Sequence, residues 1–215
     1  MPLTWRGATA AADRISELAG VGLNAMHTGR ANQEPQVTDR IFGAIEGAIH
    51  ENPIDGISWQ AHTLGDRGAK SPESRFGADA LVVLDIKVAG LSACKGILAQ
   101  AKILEPEARM TQAEFNDLRE QCTKMLALTP DAFVWLYHRN GVSVIPALSV
   151  VGLSTENRRP GTASRWKFEY FIKAFIECFV GDQRFREATR AELERIADEV
   201  AARNALLLEA REDGA

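Results

Sequence analysis

The spacing of apolar and polar positions changes period several times along the chain, and each change predicts an element. Ile41, Ile45, Ala48 and Ile49 recur at helical spacing. That stripe predicts a helix opened by Thr38 as N-cap and closed before Asn52-Pro53. Ahead of it, residues 8–18 predict one short helix. Residues 20–36, holding Gly22, Gly29, Asn32 and Pro35 with no clear period, read as loop. The stretch 57–76 turns polar and glycine-rich after a short strand at 57–61. Two apolar, β-branched runs at 80–88 and 97–104 predict strands, joined as a hairpin through 89–96. Neither run alternates, so the sheet is expected to be covered on both faces.

Phe115, Leu118, Cys122 and Met125 then mark a helix over 111–128, ended by Pro130. Strands are predicted at 132–137 and 142–151, the second interrupted by Pro146, around the turn signal His138-Arg139-Asn140-Gly141. An aromatic helix follows over 164–180, stopped by Gly181. Residues 184–212 read as a charged amphipathic helix with Leu193, Ile196, Val200 and Leu207 on one side. No internal repeat is evident. The expected fold is α/β: a central mixed β-sheet flanked by helices, with an added C-terminal helical segment. The expected organisation is an N-terminal extension (1–36), a core domain (37–182) and a C-terminal charged helix (183–215).

Composition narrows the class. The chain has 215 residues, 46% of them hydrophobic, which suits one domain with elaborations. Lys and Arg number 25 against 29 Asp and Glu, a net charge of −4. Mild acidity argues against nonspecific coating of nucleic acid but leaves room for a local basic groove. No run of about 18 apolar residues exists, so no membrane span is expected. The first residues lack the plan of a signal peptide, and Cys94, Cys122 and Cys178 are odd in number and widely spaced. Free thiols and a cytoplasmic setting are therefore expected.

The candidate chemistry lies where polar residues interrupt the apolar strands. Gln100 and Lys102 are two apart and project from one face, while Ala99, Ala101 and Ile103 take the other. Burying an amide and an ammonium together is costly unless something satisfies them. Hairpin pairing would bring Asp79 beside both, and Glu46 would enter from the packed helix. Such a set suits a hard divalent cation, Mg²⁺ or Mn²⁺. Its ligands would be Asp79, the Gln100 side-chain oxygen, the Ala101 carbonyl and Glu46 through a water. Lys102 would hold or deprotonate the attacking water.

Asp79, a hairpin and then Gln100-x-Lys102 resemble the core of the PD-(D/E)xK, or restriction-endonuclease-like, nucleases. More narrowly the chain is similar to the Mrr-type branch, in which Gln replaces the acid of the second half-motif and Gly77-Ala78-Asp79 matches the first. The resemblance runs over about 38–151, with Glu46 where the family's preceding helix carries an acid. It implies metal-dependent cleavage of DNA, in a setting of defence against foreign DNA. Gln100 in place of an acid removes one negative charge from the metal site.

Basic residues that would contact DNA phosphates are Arg158, Arg159, Arg165 and Lys167 around Pro160-Gly161. A second group, His62, Arg67, Lys70 and Arg75, lies before Asp79. Glu73 either assists the metal or pairs with Arg75, and Asp85 reads as structural. The 65–71 segment lacks the full phosphate-loop spacing, 152–156 lacks the second glycine of a serine elbow, and the four histidines have no zinc spacing. Two other readings stay open. One is a nuclease fold without catalysis that binds nucleic acid or a protein. The other is an interaction domain using the aromatic and C-terminal helices, which would also suit a homo-oligomer or a larger defence-system partner.

Overall fold

In a computed structural model of the chain, residues 2–64, 78–185 and 189–212 are described. Helix α1 (Trp5–His27) opens with Thr4, whose hydroxyl accepts from the Gly7 amide at 2.9 Å. Its alanine stripe is buried against α2 (Glu34–Ala48), so most of the expected 20–36 loop is helical. The glycine read there as a loop signal is a packing device. A Cβ on Gly22 would lie 2.5 Å from the Ile41 Cα. Only hydrogen lets the two backbones cross this closely. Thr38 is not the N-cap of α2. Gln33 precedes the helix and Pro35 sits in its first turn, where the missing N–H costs nothing. Thr38 is buried mid-helix, hydrogen-bonded to the Glu34 carbonyl at 3.0 Å and to the Tyr137 hydroxyl at 2.8 Å.

The strands are β1 (Ile57–Leu64), β2 (Ala80–Val88), β3 (Leu91–Ile103), β4 (Ala132–His138), β5 (Gly141–Pro146), β6 (Trp166–Lys167) and β7 (Asn204–Glu212). Among the described residues they form one mixed sheet in the order β1-β7-β2-β3-β4-β5-β6, with β2–β7 and β3–β4 parallel. The β2–β3 hairpin turns at Ala89-Gly90, with Gly90 at φ +77°, so β3 starts six residues before the expected Ile97. Helices α1, α2 and α5 (Phe168–Ile176) cover one face. Helices α3 (Gln112–Leu128), α4 (Ala147–Gly152) and α6 (Arg190–Glu199) cover the other. The run expected as a single strand over 142–151 breaks at Pro146 into β5 and α4, because proline cannot donate to a ladder.

The largest departure is at the C-terminus. The expected charged helix is α6 followed by β7, which inserts between β1 and β2. Leu, Ala, Glu and Arg are good helix formers, which is why the segment reads as helix. Yet Ala205, Leu206, Leu207 and Leu208 are consecutive and each at most 2% exposed. A surface helix buries one side; four adjacent buried residues require a strand covered on both faces. Arg211 on β7 and Lys87 on β2 both pair with Asp85, which is 2% exposed. The expected structural role of Asp85 thus has a partner across the sheet. Residues assigned to an N-terminal extension and to a C-terminal appendage share the same two cores as everything between them.

Candidate active site

Asp79 is clamped at the start of β2. Its amide donates to the Ala99 carbonyl at 2.9 Å, and its carbonyl accepts from the Asn204 amide at 3.0 Å. The register Ala80↔Ala99 carries on one step to set Asp79 opposite Gln100. By alternation Asp79 shares its face with Leu81 and Val83, and Gln100 and Lys102 share theirs with Leu98. All these leucines and valines belong to the core under α3. Asp79, Gln100 and Lys102 therefore project to the same side of the sheet, at the edge where β3 runs on past the start of β2.

The contacts are close. Gln100 Nε2 and the Ala101 amide both donate to Asp79 Oδ2, the latter at 3.0 Å. Gln100 Nε2 also reaches the Ala101 carbonyl at 3.4 Å. Gln100 is 2% exposed, and its Oε1 has no hydrogen-bond partner among the described residues. A buried amide oxygen left without a donor costs free energy unless a ligand meets it. Burial pushes the Asp79 carboxyl up to about 6. The Ala101 amide and the Lys102 and Arg203 charges pull it down, and Glu34 pushes it further up. Lys102 is half-buried and makes no hydrogen bond or ion pair among the described residues.

Lys102 lines a depression of about 390 Å³ together with Glu34, Arg109, Glu114 and Asp117. Glu34 was not expected here, because its segment read as loop. It stands in the first turn of α2, and its Oε1 accepts from the Ile103 amide at 3.4 Å. The one signal for it was Glu-Pro, a frequent helix opening.

Glu46 lies elsewhere. Its carboxylate accepts from the Thr63 amide at 2.9 Å and the Thr63 hydroxyl at 2.5 Å. By alternation Thr63 shares its face with Trp59 and Ala61, which belong to the core under α1 and α2. The structure does not bring Glu46 to the Asp79 cluster but holds it on the opposite face. Among the described residues no three His, Cys, Asp or Glu side chains converge as a metal-holding group. Arg158 and Arg159 sit in the loop after α4, and the Arg158 carbonyl accepts from the Met110 amide at 2.8 Å. Glu73, Arg75 and Gly77 lie outside the described residues, as do Arg67, Lys70 and the 65–71 segment.

A second pair needs weighing. His138 Nε2 is 3.0 Å from Ser143 Oγ, while Asn140 donates its amide to His138 Nδ1 at 3.2 Å. An accepting Nδ1 leaves the proton on Nε2, so the imidazole donates to the serine and cannot activate it. Among the described residues no helix is long and apolar enough to cross a membrane. Comparison with family models, with curated proteins and with solved structures finds no match.

Proposed function

We propose that the chain is a metal-dependent phosphodiester hydrolase acting on DNA, with Asp79, Gln100 and Lys102 as its working side chains. The observation that carries this reading is the buried, unpartnered Gln100 Oε1 beside the Asp79 carboxylate. One amide oxygen and one carboxylate on a common face, with the Ala101 carbonyl adjoining, are a hard-oxygen donor set that fits Mg²⁺ or Mn²⁺ completed by waters. When bound, such an ion lowers the pKa of a water and offsets charge gathering on a phosphoryl group.

The protein's own groups have distinct tasks. The Ala101 amide and Gln100 Nε2 fix one oxygen of Asp79, so the carboxylate is oriented before any ligand arrives. Lys102 offers three donors with no competing partner among the described residues. It would grip a non-bridging phosphate oxygen or the attacking water, and stabilise charge that exists only in the transition state. Glu34, Glu114 and Asp117 line the same depression as Lys102, and Glu34 also accepts from the Ile103 amide beside it. The setting of defence against foreign DNA follows from the family resemblance.

A second reading is a nuclease fold that binds nucleic acid without cutting it. It is favoured by the amide at position 100 and by the lack of a three-acid cluster among the described residues. A plasmid-nicking assay decides between them. Cleavage should require Mg²⁺ or Mn²⁺, stop with chelator, and vanish in Asp79→Ala and Lys102→Ala while circular dichroism stays native. Nicking retained in either variant refutes the assignment. Absent cleavage with intact DNA binding favours the second reading.

A further inference from the structure

Beside the Lys102 depression lies a second, polar cavity of about 450 Å³, lined by Arg109, Arg158 and Arg159 with Asn157, Thr162 and Glu156. Three arginines line one cavity whose wall has a single acidic residue, Glu156. None of the three makes an ion pair among the described residues. Arg109 donates to the Glu156 backbone carbonyl at 3.1 Å, and Arg158 to the neutral Gln112 side chain at 2.8 Å. Arg158 Nε is buried without an acceptor. By contrast, nearby Arg165 is neutralised by Glu107 at 3.2 Å. A surplus of like charge around one cavity is unfavourable unless an anion occupies the space between the groups.

The cavity wall is also built to hold its shape. A Cβ on Gly161 would lie 2.1 Å from the Pro106 carbonyl oxygen, so the arginine-bearing loop is pressed backbone to backbone on the segment leaving β3. Asn157 Nδ2 donates to Thr162 Oγ1 at 3.0 Å, and the Asn157 amide to Ser154 Oγ at 3.2 Å. Arginine forks presented by a braced loop suit planar, bidentate capture of phosphate oxygens. Arg109 lines both this cavity and the one that holds Lys102 and Glu34. The two are therefore neighbours along one surface path.

We infer that this cavity is a phosphate subsite for the DNA strand whose scissile phosphate lies at Lys102, and that it sets the strand's register by holding a neighbouring backbone phosphate. The inference rests on the nuclease reading. A contact of this kind is sequence-independent and contributes position and affinity. The strand then runs from Asp79 and Lys102 across Arg109 to Arg158 and Arg159.

Equilibrium binding tests it. A fluorescein-labelled DNA duplex is titrated with full-length protein in chelator, so that no cleavage occurs, over a series of salt concentrations. Arg109→Ala and Arg159→Ala should each weaken binding by about three- to ten-fold. Each should also reduce the slope of log affinity against log salt by about 0.9, the signature of one lost phosphate contact. Arg14→Ala, on α1 over the other face, should leave both quantities unchanged. Inorganic phosphate or a mononucleotide at low millimolar concentration should not displace the duplex.

Unchanged binding in both arginine variants overturns the subsite, as does an equal loss in Arg14→Ala. Displacement by inorganic phosphate alone also overturns it, in favour of a small phosphate ligand. If wild-type protein nicks DNA while the variants bind normally, only the subsite fails. If wild-type protein neither binds nor nicks DNA, the nuclease reading itself fails.

Discussion

Gln100→Glu is the most informative single change, because it converts the amide to the acid that would complete a two-carboxylate site. In the wild type, Gln100 Nε2 donates to Asp79 Oδ2 in a position 2% exposed. Glutamate replaces that donor with an oxygen and sets two carboxyls against each other. The pair would then share a proton near neutral pH. A hydrogen bond to a charged acceptor is worth about 1.5–3 kcal/mol. For a chain of this size 1 kcal/mol moves the melting temperature by about 2–4 °C. In chelator the variant should therefore melt about 3–12 °C below wild type, toward the small end if the shared proton restores part of the bond. Added Mg²⁺ should reverse the deficit. Two carboxylates hold a hard cation more tightly than one, and saturation to 100 times the dissociation constant contributes about 2.7 kcal/mol. Differential scanning fluorimetry with chelator and with Mg²⁺, on both proteins, reads all four values. The reasoning is refuted if the variant is as stable as wild type in chelator. It is equally refuted if Mg²⁺ raises its melting temperature by no more than it raises that of the wild type.

Gly22→Ala should destabilise by about 1–3 kcal/mol in urea unfolding, since its Cβ would meet Ile41 backbone at 2.5 Å and overpacking outweighs helix propensity. Gly20→Ala, with nothing within 4 Å, should instead be neutral or stabilising by up to about 1 kcal/mol. Leu206→Asp and Leu207→Asp should both lower stability by more than about 3 kcal/mol, because β7 is buried on its two faces. Tolerance of either one would indicate a helix with a solvent side. Asp182 sets a pH dependence. Burial pushes its carboxyl up, but bonds from Arg184 and Thr129 win and hold it at about 2, against an ordinary value of 3.8. Its folded pKa is depressed, so its contribution is full above about pH 4 and is lost as pH falls through 2. Asp182→Asn should therefore be less stable than wild type at pH 7 and converge with it near pH 2; a constant gap across that range refutes the pairing.

Periodicity was legible where an element meets a single environment. Helix α3 lies where Phe115, Leu118, Cys122 and Met125 put it, and Thr111 with Glu114 forms the capping box that starts it. The β2 and β3 runs could also be read in advance, and with them a hairpin that brings Asp79 beside Gln100. The register that sets the two opposite comes instead from the tight turn at Ala89-Gly90, where a longer link was expected. Two adjacent apolar strands joined by a short segment pair as a hairpin, and alternation then decides which side chains share a face, while the turn sets the register.

What the linear order could not supply was the choice made by distant partners. Gly22 reads as a helix breaker until Ile41 is packed against it. Ala205 to Leu208 read as helix until β1 and β2 offer a slot needing a strand with two dry faces. Glu46 and Glu34 are both acids of one helix, and only the start and tilt of α2 on the sheet decide which one reaches the Lys102 edge. Arg109 and Arg158 come from segments about 50 positions apart and are neighbours only because the loop after α4 folds back on the end of β3. Local pattern thus determined which residues are paired within a hairpin or along a helix. Burial against remote segments, a property of the whole packed chain, decided which of the polar groups face one another.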